Sequence, residues 1–445
     1  MLGIMGLCKD ERTTKAFKNI VASIFLKGGS ILISLILVPL TLSYLDPYEY
    51  GVWLTLSSIM TWIYVLDVGL GNGLRNKLTE AVALGDKILA RIYVSTTFFS
   101  LSFLVTFLYC LFLILQQWVD WSMILNVDIG KVPNINSIVT IVFAFFCVSF
   151  VLKVVGNIYM AYQLPAINDL LSLLGNIISL ILIYLCTIFT SGSLEKVAVI
   201  FSASPVFVFL LAIPITFWKY KDIRPSWKYV NFKYLRQLMS LSTQFFIIQI
   251  SCLILFMTSN FIISQLFGPE QVTPYNIAFK YFSLINMGFM IILTPIWSAI
   301  TEAYTKNDMK WIQKTMKKLL WIWVGFVFIT ILMVFASTYI YTLWIGNGVQ
   351  VSFTLSVVCG VYVSISNWNN IFAYVINGIG KIRLQLYSSI ISGFLFLPIA
   401  FYLGKWYGIS GVMIAMCICL FLSSIWSPIQ YWKIVSNKAT GIWAK

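Results

Sequence analysis

Residues 197–238 read VAVIFSASPVFVFLLAIPITFW and then KYKDIRPSWKYVNFKYLRQL, and that junction decides the fold class. The first part, residues 197–218, carries no charge and is long enough to cross a hydrocarbon core of about 30 Å as a helix. The second, residues 219–238, carries Lys219, Lys221, Arg224, Lys228, Lys233 and Arg236. Working outward in both directions, the same alternation repeats. Apolar runs fall near 20–44, 50–70, 92–115, 136–160, 167–189, 197–218, 239–266, 273–298, 319–341, 353–376, 386–404 and 409–430. A chain that is 60% hydrophobic and 10% charged cannot close around one soluble core without exposing large apolar surfaces, so lipid is its solvent. The expectation is an all-α polytopic membrane protein with about twelve transmembrane helices.

The basic residues sort by gap and orient the chain. Lys9, Arg12, Lys15 and Lys18 precede the first run; Arg75, Lys77, Lys87 and Arg91 follow the second; Lys306, Lys310, Lys314, Lys317 and Lys318 follow the eighth. Lys381 and Arg383 follow the tenth, and Lys433, Lys438 and Lys445 the twelfth, whereas the odd gaps hold only Lys131, Lys196 and Lys405. The positive-inside rule then puts both termini and the even gaps in the cytoplasm. The net charge of +15 is spread over these short loops, where orientation and anionic membrane lipids account for it without a nucleic-acid partner. The first run is too long for a cleavable signal peptide and reads as an uncleaved anchor.

Several chemistries drop out. The chain has no histidine, which removes His-based triads and His metal ligands, and its eight cysteines form no CxxC pair. No catalytic residue, metal site or cofactor is expected, and the reading is not an enzyme.

An internal repeat organises the spans. TEAVALGD at residues 79–86 recurs 222 residues later as TEAYTKND at 301–308, and in the same register Pro47 falls on Pro269. Six spans (residues 1–218), a basic cytoplasmic linker (219–238) and six more spans with a short tail (239–445) form two six-helix bundles around a central cavity.

Four ionisable residues fall within or near the ends of the spans: Lys27, Asp67, Lys153 and Lys280. Charge at bilayer depth costs a few kcal/mol, so such residues face a bundle interior or mark a pathway, unless long lysine stems snorkel to the interface. Ser149, Lys153 and Asn157 share one helix stripe, as do Asn276, Lys280 and Ser283, and Lys27 continues through Ser30 and Ser34. Three ammonium groups against one carboxylate suit a phosphate-bearing ligand. Lys27, Lys153, Asn157, Asn276 and Lys280 are therefore the candidate substrate contacts. Asp67 stands before Gly69, Gly71 and Gly73, where it either carries a coupling proton or sodium ion or pairs with Arg75 at a helix end. The glycines read as a helix-ending turn feeding a basic amphipathic segment, since no strand precedes them and the G-x-G-x-x-G spacing fails.

The run YGVWLTLSSIMTWIYVLDVGLGNGLRNKLTEAVALGD at residues 50–86, with its acidic pair Glu80 and Asp86, resembles the second and third helices of Wzx-type flippases. These belong to the multidrug/oligosaccharidyl-lipid/polysaccharide exporter superfamily. NGIGK at 377–381 is similar to that family's turn between helices ten and eleven. The resemblance implies a bacterial inner-membrane flippase for an undecaprenyl-diphosphate-linked oligosaccharide of O-antigen or lipopolysaccharide type. Its implied partners are membrane lipids, a coupling H+ or Na+, and polysaccharide polymerase machinery. A multidrug extruder and a lipid II flippase are alternatives within the superfamily. A membrane polysaccharide polymerase or glycosyltransferase is the enzymatic one.

Overall fold

The computed structural model describes residues 11–61, 67–162, 164–238, 258–305 and 307–444. Among them every long element is a helix, as lipid requires of a backbone that must satisfy its own hydrogen bonds. In chain order these are α1 (Glu11–Tyr44), α2 (Pro47–Thr61), α3 (Asp67–Ala83), α4 (Lys87–Leu115), α5 (Trp121–Leu125), α6 (Ile135–Leu152), α7 (Val154–Ala161), α8 (Pro165–Phe189) and α9 (Leu194–Lys219). They continue as α10 (258–267), α11 (Val272–Thr305), α12 (Met309–Ile345), α13 (Phe353–Ile379) and α14 (Arg383–Val435). Eight stretches among the described residues are long and apolar enough to cross a membrane. One of these, α14, is two helices joined at a sharp kink at Gly408 (φ 61°, ψ −148°), which falls in the expected gap between 404 and 409. The chain is a multi-pass helical membrane protein.

The chain forms two compact units, residues 1–46 with 60–242, and 47–59 with 243–445. Buried Leu74, Leu78, Val94, Phe150 and Ile158 centre the first; Phe289, Leu293, Ile371 and Val375 centre the second. The first eight helices are therefore not all housed together, because most of α2 belongs to the second unit. Among the contacts that hold it there, Thr273 Oγ1 donates to Pro47 O at 2.7 Å, and Gly51 lies so close to Pro269 O that an added Cβ would sit 1.8 Å away.

The two repeated segments close in the same way at their described residues. The Asp86 amide donates to Ala81 O (3.0 Å) and the Asp308 amide to Ala303 O (2.8 Å), and Gly85 and Asn307 are both left-handed at φ 72° and 58°. Asp86 then caps α4 by accepting from Leu89 N, and Asp308 caps α12 by accepting from Trp311 N. Glu80 pairs with Lys77 at 2.8 Å. Both acids of the motif are thus engaged in local structure.

The basic segment after α9 is strapped along α4. Ser226 N donates to Ser95 Oγ and Asn231 N to Thr96 Oγ1, each at 3.1 Å, which explains two fully buried hydroxyls on α4. Arg91 bonds Arg224 O at 3.0 Å and lies 4.2 Å over the Tyr229 ring; Lys87 meets Asp222 at 2.8 Å.

One expectation is corrected. The glycine cluster does not end a helix: α3 begins at Asp67 and runs through Gly69, Gly71 and Gly73 to Ala83. A glycine at 73 is needed because Leu238 O would stand 1.7 Å from any Cβ there. The expected span 50–70 is accordingly divided between α2 and α3, and residues 62–66 lie outside the described residues, as do 239–257 of the seventh expected span.

Candidate functional site

In the first unit the polar groups of α1 meet those of α8. Ser23, Lys27 and Ser30 recur at steps of four and three on α1, and Asp169 and Asn176 stand seven apart on α8, so each set forms one stripe. Ser23 Oγ donates to Asp169 Oδ2, Lys27 Nζ lies 3.8 Å from the same oxygen, and Asn176 Nδ2 donates to Ser30 Oγ at 2.6 Å. Ser23 is buried, Asp169 keeps 14% of its side chain exposed, and Lys27 keeps 67%. Lys27 is thus anchored at one side by a carboxylate while most of its ammonium end stays open to what surrounds the helix.

Lys153 occupies the junction of α6 and α7. Lys153 N donates to Ser149 O (3.0 Å) and Asn157 N to Lys153 O (3.2 Å), so the Ser149, Lys153, Asn157 stripe stays in helical register across the junction. Ser149 is buried and the other two are half-buried.

In the second unit Asn276 is part of a side-chain relay. Asn276 Nδ2 donates to Asn260 Oδ1 at 2.8 Å, and Asn260 Nδ2 donates to Ser58 Oγ at 2.6 Å, joining α11, α10 and α2. Lys280 stands one turn further along α11, half-buried, with its carbonyl accepting from Ser283 Oγ at 2.7 Å. The relay is a helix-to-helix tie of the kind that substitutes for the weak apolar driving force inside lipid. Asn260→Ala removes both bonds of the relay, leaving Asn276 Nδ2 bonded only to Val272 O (2.9 Å) and Ser58 Oγ only to Leu54 O (2.8 Å), and a loss of about 1–3 kcal/mol is expected. Thermal unfolding in detergent, read by size-exclusion of the heated protein, checks it.

The first unit therefore holds Lys27, Lys153 and Asn157, and the second Asn276 and Lys280. Asp67 opens α3 with its side chain outside the described residues, and Arg75 is exposed on the same helix. Sequence reasoning missed Asp169, which sits five residues into α8 at the margin of the expected span. Its carboxylate changes the charge balance to three ammonium groups against two carboxylates. It also missed the polar face of α13, where Ser364, Ser366, Asn367, Asn369 and Asn370 follow one another closely. That run of serine and asparagine was itself a signal, since it makes α13 too polar to rank with the eight most apolar helices. Asn367 is 1% exposed, and its Oδ1 has no hydrogen-bond partner among the described residues.

No family model matches the chain. A solved multidrug resistance MATE family transporter of the MOP superfamily, in its inward-facing conformation, superposes with a TM-score of 0.75 at 14% identity, over 95% of this chain and 100% of that one. The fold is that of the MATE transporters. Among curated proteins, the chain is 23% identical over 420 residues to a "Putative O-antigen transporter" of Salmonella typhi, spanning 90% of this chain and 92% of the relative. It is 21% identical over 431 residues to a "Putative O-antigen export protein" of Yersinia pseudotuberculosis, spanning 92% and 93%. The similarity to both is end to end, so the MATE-like architecture and the sequence relatives cover the same residues.

Proposed function

We propose that the chain is a membrane transporter that moves an undecaprenyl-diphosphate-linked oligosaccharide from the cytoplasmic to the periplasmic leaflet by alternating access. The observation that carries this reading is the end-to-end similarity to proteins named for O-antigen transport on a MATE-type fold. The charge balance within the helices supports it. Lys27, Lys153 and Lys280 outnumber Asp67 and Asp169, which favours an anionic head group over the cationic cargo of a drug extruder. The protein sits in the bacterial inner membrane with both termini cytoplasmic, and works without a catalytic residue or cofactor. Proton or sodium coupling requires that the ion bind the two conformations with different affinity.

The test is substitution of Lys27, Lys153 and Lys280 singly by Ala and by Arg, scored as surface polysaccharide at matched protein level. A charge-assisted hydrogen bond to phosphate contributes about 1.5–3 kcal/mol, so at least one alanine variant loses roughly 10- to 100-fold in transport and its arginine counterpart retains more. Wild-type output from all three alanine variants rejects a lysine-bound diphosphate. Purified protein that forms glycosidic bonds would move the reading to a polymerase, and drug efflux without lipid movement would move it to a drug extruder.

A further inference from the structure

Along the second unit, α12, α13 and the distal half of α14 enclose a crevice of about 770 Å³. Its α12 wall is a single stripe, Trp323, Val327, Ile331 and Phe335, spaced at four residues. Its α13 wall runs from Phe353 to Trp368, and α14 contributes Phe421 and Ile425. At 1.5 Å rise per residue these stripes are about 18 and 22 Å long, most of the depth of one hydrocarbon core. Gly360 sets the floor, since a Cβ there would stand 2.8 Å from Val334 and push α13 off α12.

The crevice is dry by construction. Five of its lining side chains have polar atoms, and each is already bonded within the protein. Trp323 Nε1 donates to Ser364 O (2.9 Å) and Trp368 Nε1 to Ser424 O (3.3 Å). Thr330 Oγ1 donates to Phe326 O, Ser364 Oγ to Gly360 O, and Ser424 Oγ to Asn369 Oδ1. A water molecule placed there finds every side-chain N–H and O–H already engaged and only hydroxyl lone pairs to donate to, short of the two to four partners that hold a buried water, whereas a hydrocarbon chain loses nothing. A volume of 770 Å³ spread over about 20 Å gives a mean cross-section of about 40 Å². That is broader than a straight methylene chain fills and leaves room for methyl branches. Two turns beyond Ile425 on the same face of α14 stands Trp432, 57% exposed, with the Lys438 ammonium 5.4 Å from its ring centre. One end of the crevice line thus carries a cation at the depth of a head group.

We infer that this crevice seats the methyl-branched isoprenoid tail of a phosphate-bearing polyprenyl lipid while its head group is handled elsewhere in the protein. The choice of tail rests on the flippase reading; the crevice, its dryness and its breadth do not. A seated tail lowers the number of orientations open to the head group and so raises its local concentration on the protein.

The test uses the full-length protein in proteoliposomes with two probes, a diazirine-bearing polyprenyl phosphate and a diazirine-bearing straight-chain phosphatidylglycerol, with cross-links mapped by mass spectrometry. The polyprenyl probe is expected to label residues 323–335 and 353–368 about tenfold more than the acyl probe. Val361→Trp fills the crevice without removing any hydrogen bond named above and abolishes that labelling. Leu332→Trp, exposed on α12 but outside the lining, retains it. Val357→Trp repeats the test should Val361→Trp fail to fold. Equal labelling by both probes, labelling that survives in a folded filled variant, or no labelling of these stripes overturns the inference. A separate transport assay compares a glycan carried on polyprenyl diphosphate with the same glycan on a straight-chain diphosphate. Failure of the wild type to move either one counts against the flippase reading, and the cross-linking still decides the crevice.

Discussion

Gly51→Ala is expected to abolish recovery of folded protein, and Gly73→Ala to do nearly the same, whereas Gly28→Ala leaves folding intact. The added methyl group is identical in all three, so the outcome depends only on what it meets. At Gly51 it would lie 1.8 Å from Pro269 O and 2.6 Å from the attached carbonyl carbon; at Gly73, 1.7 and 2.7 Å from the corresponding atoms of Leu238. Backbone cannot rotate away as a side chain can. Relief requires α2 to part from the turn before α11, or α3 from the chain at Leu238. Parting α2 from that turn also stretches the Thr273 to Pro47 hydrogen bond. Overpacking by a methyl group costs about 1–3 kcal/mol where neighbours can adjust and more where they cannot, which here means at least about 3 kcal/mol. A Cβ at Gly28 meets nothing within 4 Å, and the gain in helix propensity is worth up to about 1 kcal/mol. Detergent-solubilised yield and thermal midpoint of the three variants check the prediction. Normal folding of Gly51→Ala would mean that the α2 seam is looser than described.

The same seam shows what was legible in the sequence. Pro47 aligns with Pro269 at an offset of 222, and in the structure the two regions pack reciprocally: Pro269 O abuts Gly51, and Pro47 O accepts from Thr273. Position 273 is itself 51 moved by 222, so equivalent residues exchange contacts as partners do across a two-fold relation. The repeated TEA…D segments were legible for a similar reason. The carboxylate of Asp86 or Asp308 meets a need set by local geometry alone, the orphan amides at a helix start. Span positions could be read because hydropathy and charge are sums over a window.

What could not be read depends on which helix a residue meets. Asp169 was missed because nothing local to Pro165–Phe189 announces that α1 supplies Ser23 and Lys27 opposite it. Likewise Asn276 marked a polar stripe, but its role as a tie to Asn260 and Ser58 depends on α10 and α2 being adjacent. The glycines at 69, 71 and 73 misled in the other direction. Glycine is tolerated inside a helix when close approach of another backbone needs it, and propensity alone cannot separate that from a helix end.

Exchanging the two charges of the α1–α8 seam, Lys27→Asp with Asp169→Lys, is expected to recover the ion pair's share of the stability that Asp169→Lys alone loses, without restoring transport. The single changes set the scale. Asp169→Ala removes the acceptor of the buried Ser23 hydroxyl, a loss of about 1–3 kcal/mol. The ion pair adds little to that, at most about 1 kcal/mol, because Lys27 is 67% exposed and the separation is 3.8 Å. Asp169→Asn keeps an oxygen for Ser23 and removes only the charge, so it should melt within about 1 kcal/mol of the wild type. The exchanged pair puts an aspartate on α1 where the lysine stood, so the ion pair can form again with its polarity reversed, while the Ser23 hydroxyl stays without the acceptor that Asp169 gave it. If Lys27 serves only as a tie between helices, the exchanged protein exports polysaccharide at the wild-type level. If its exposed ammonium contacts an anionic head group, the aspartate now in that position repels it, and export falls to the level of Lys27→Ala while the thermal midpoint rises above that of Asp169→Lys alone. Two measurements on one variant thus separate a structural charge from a ligand-binding one.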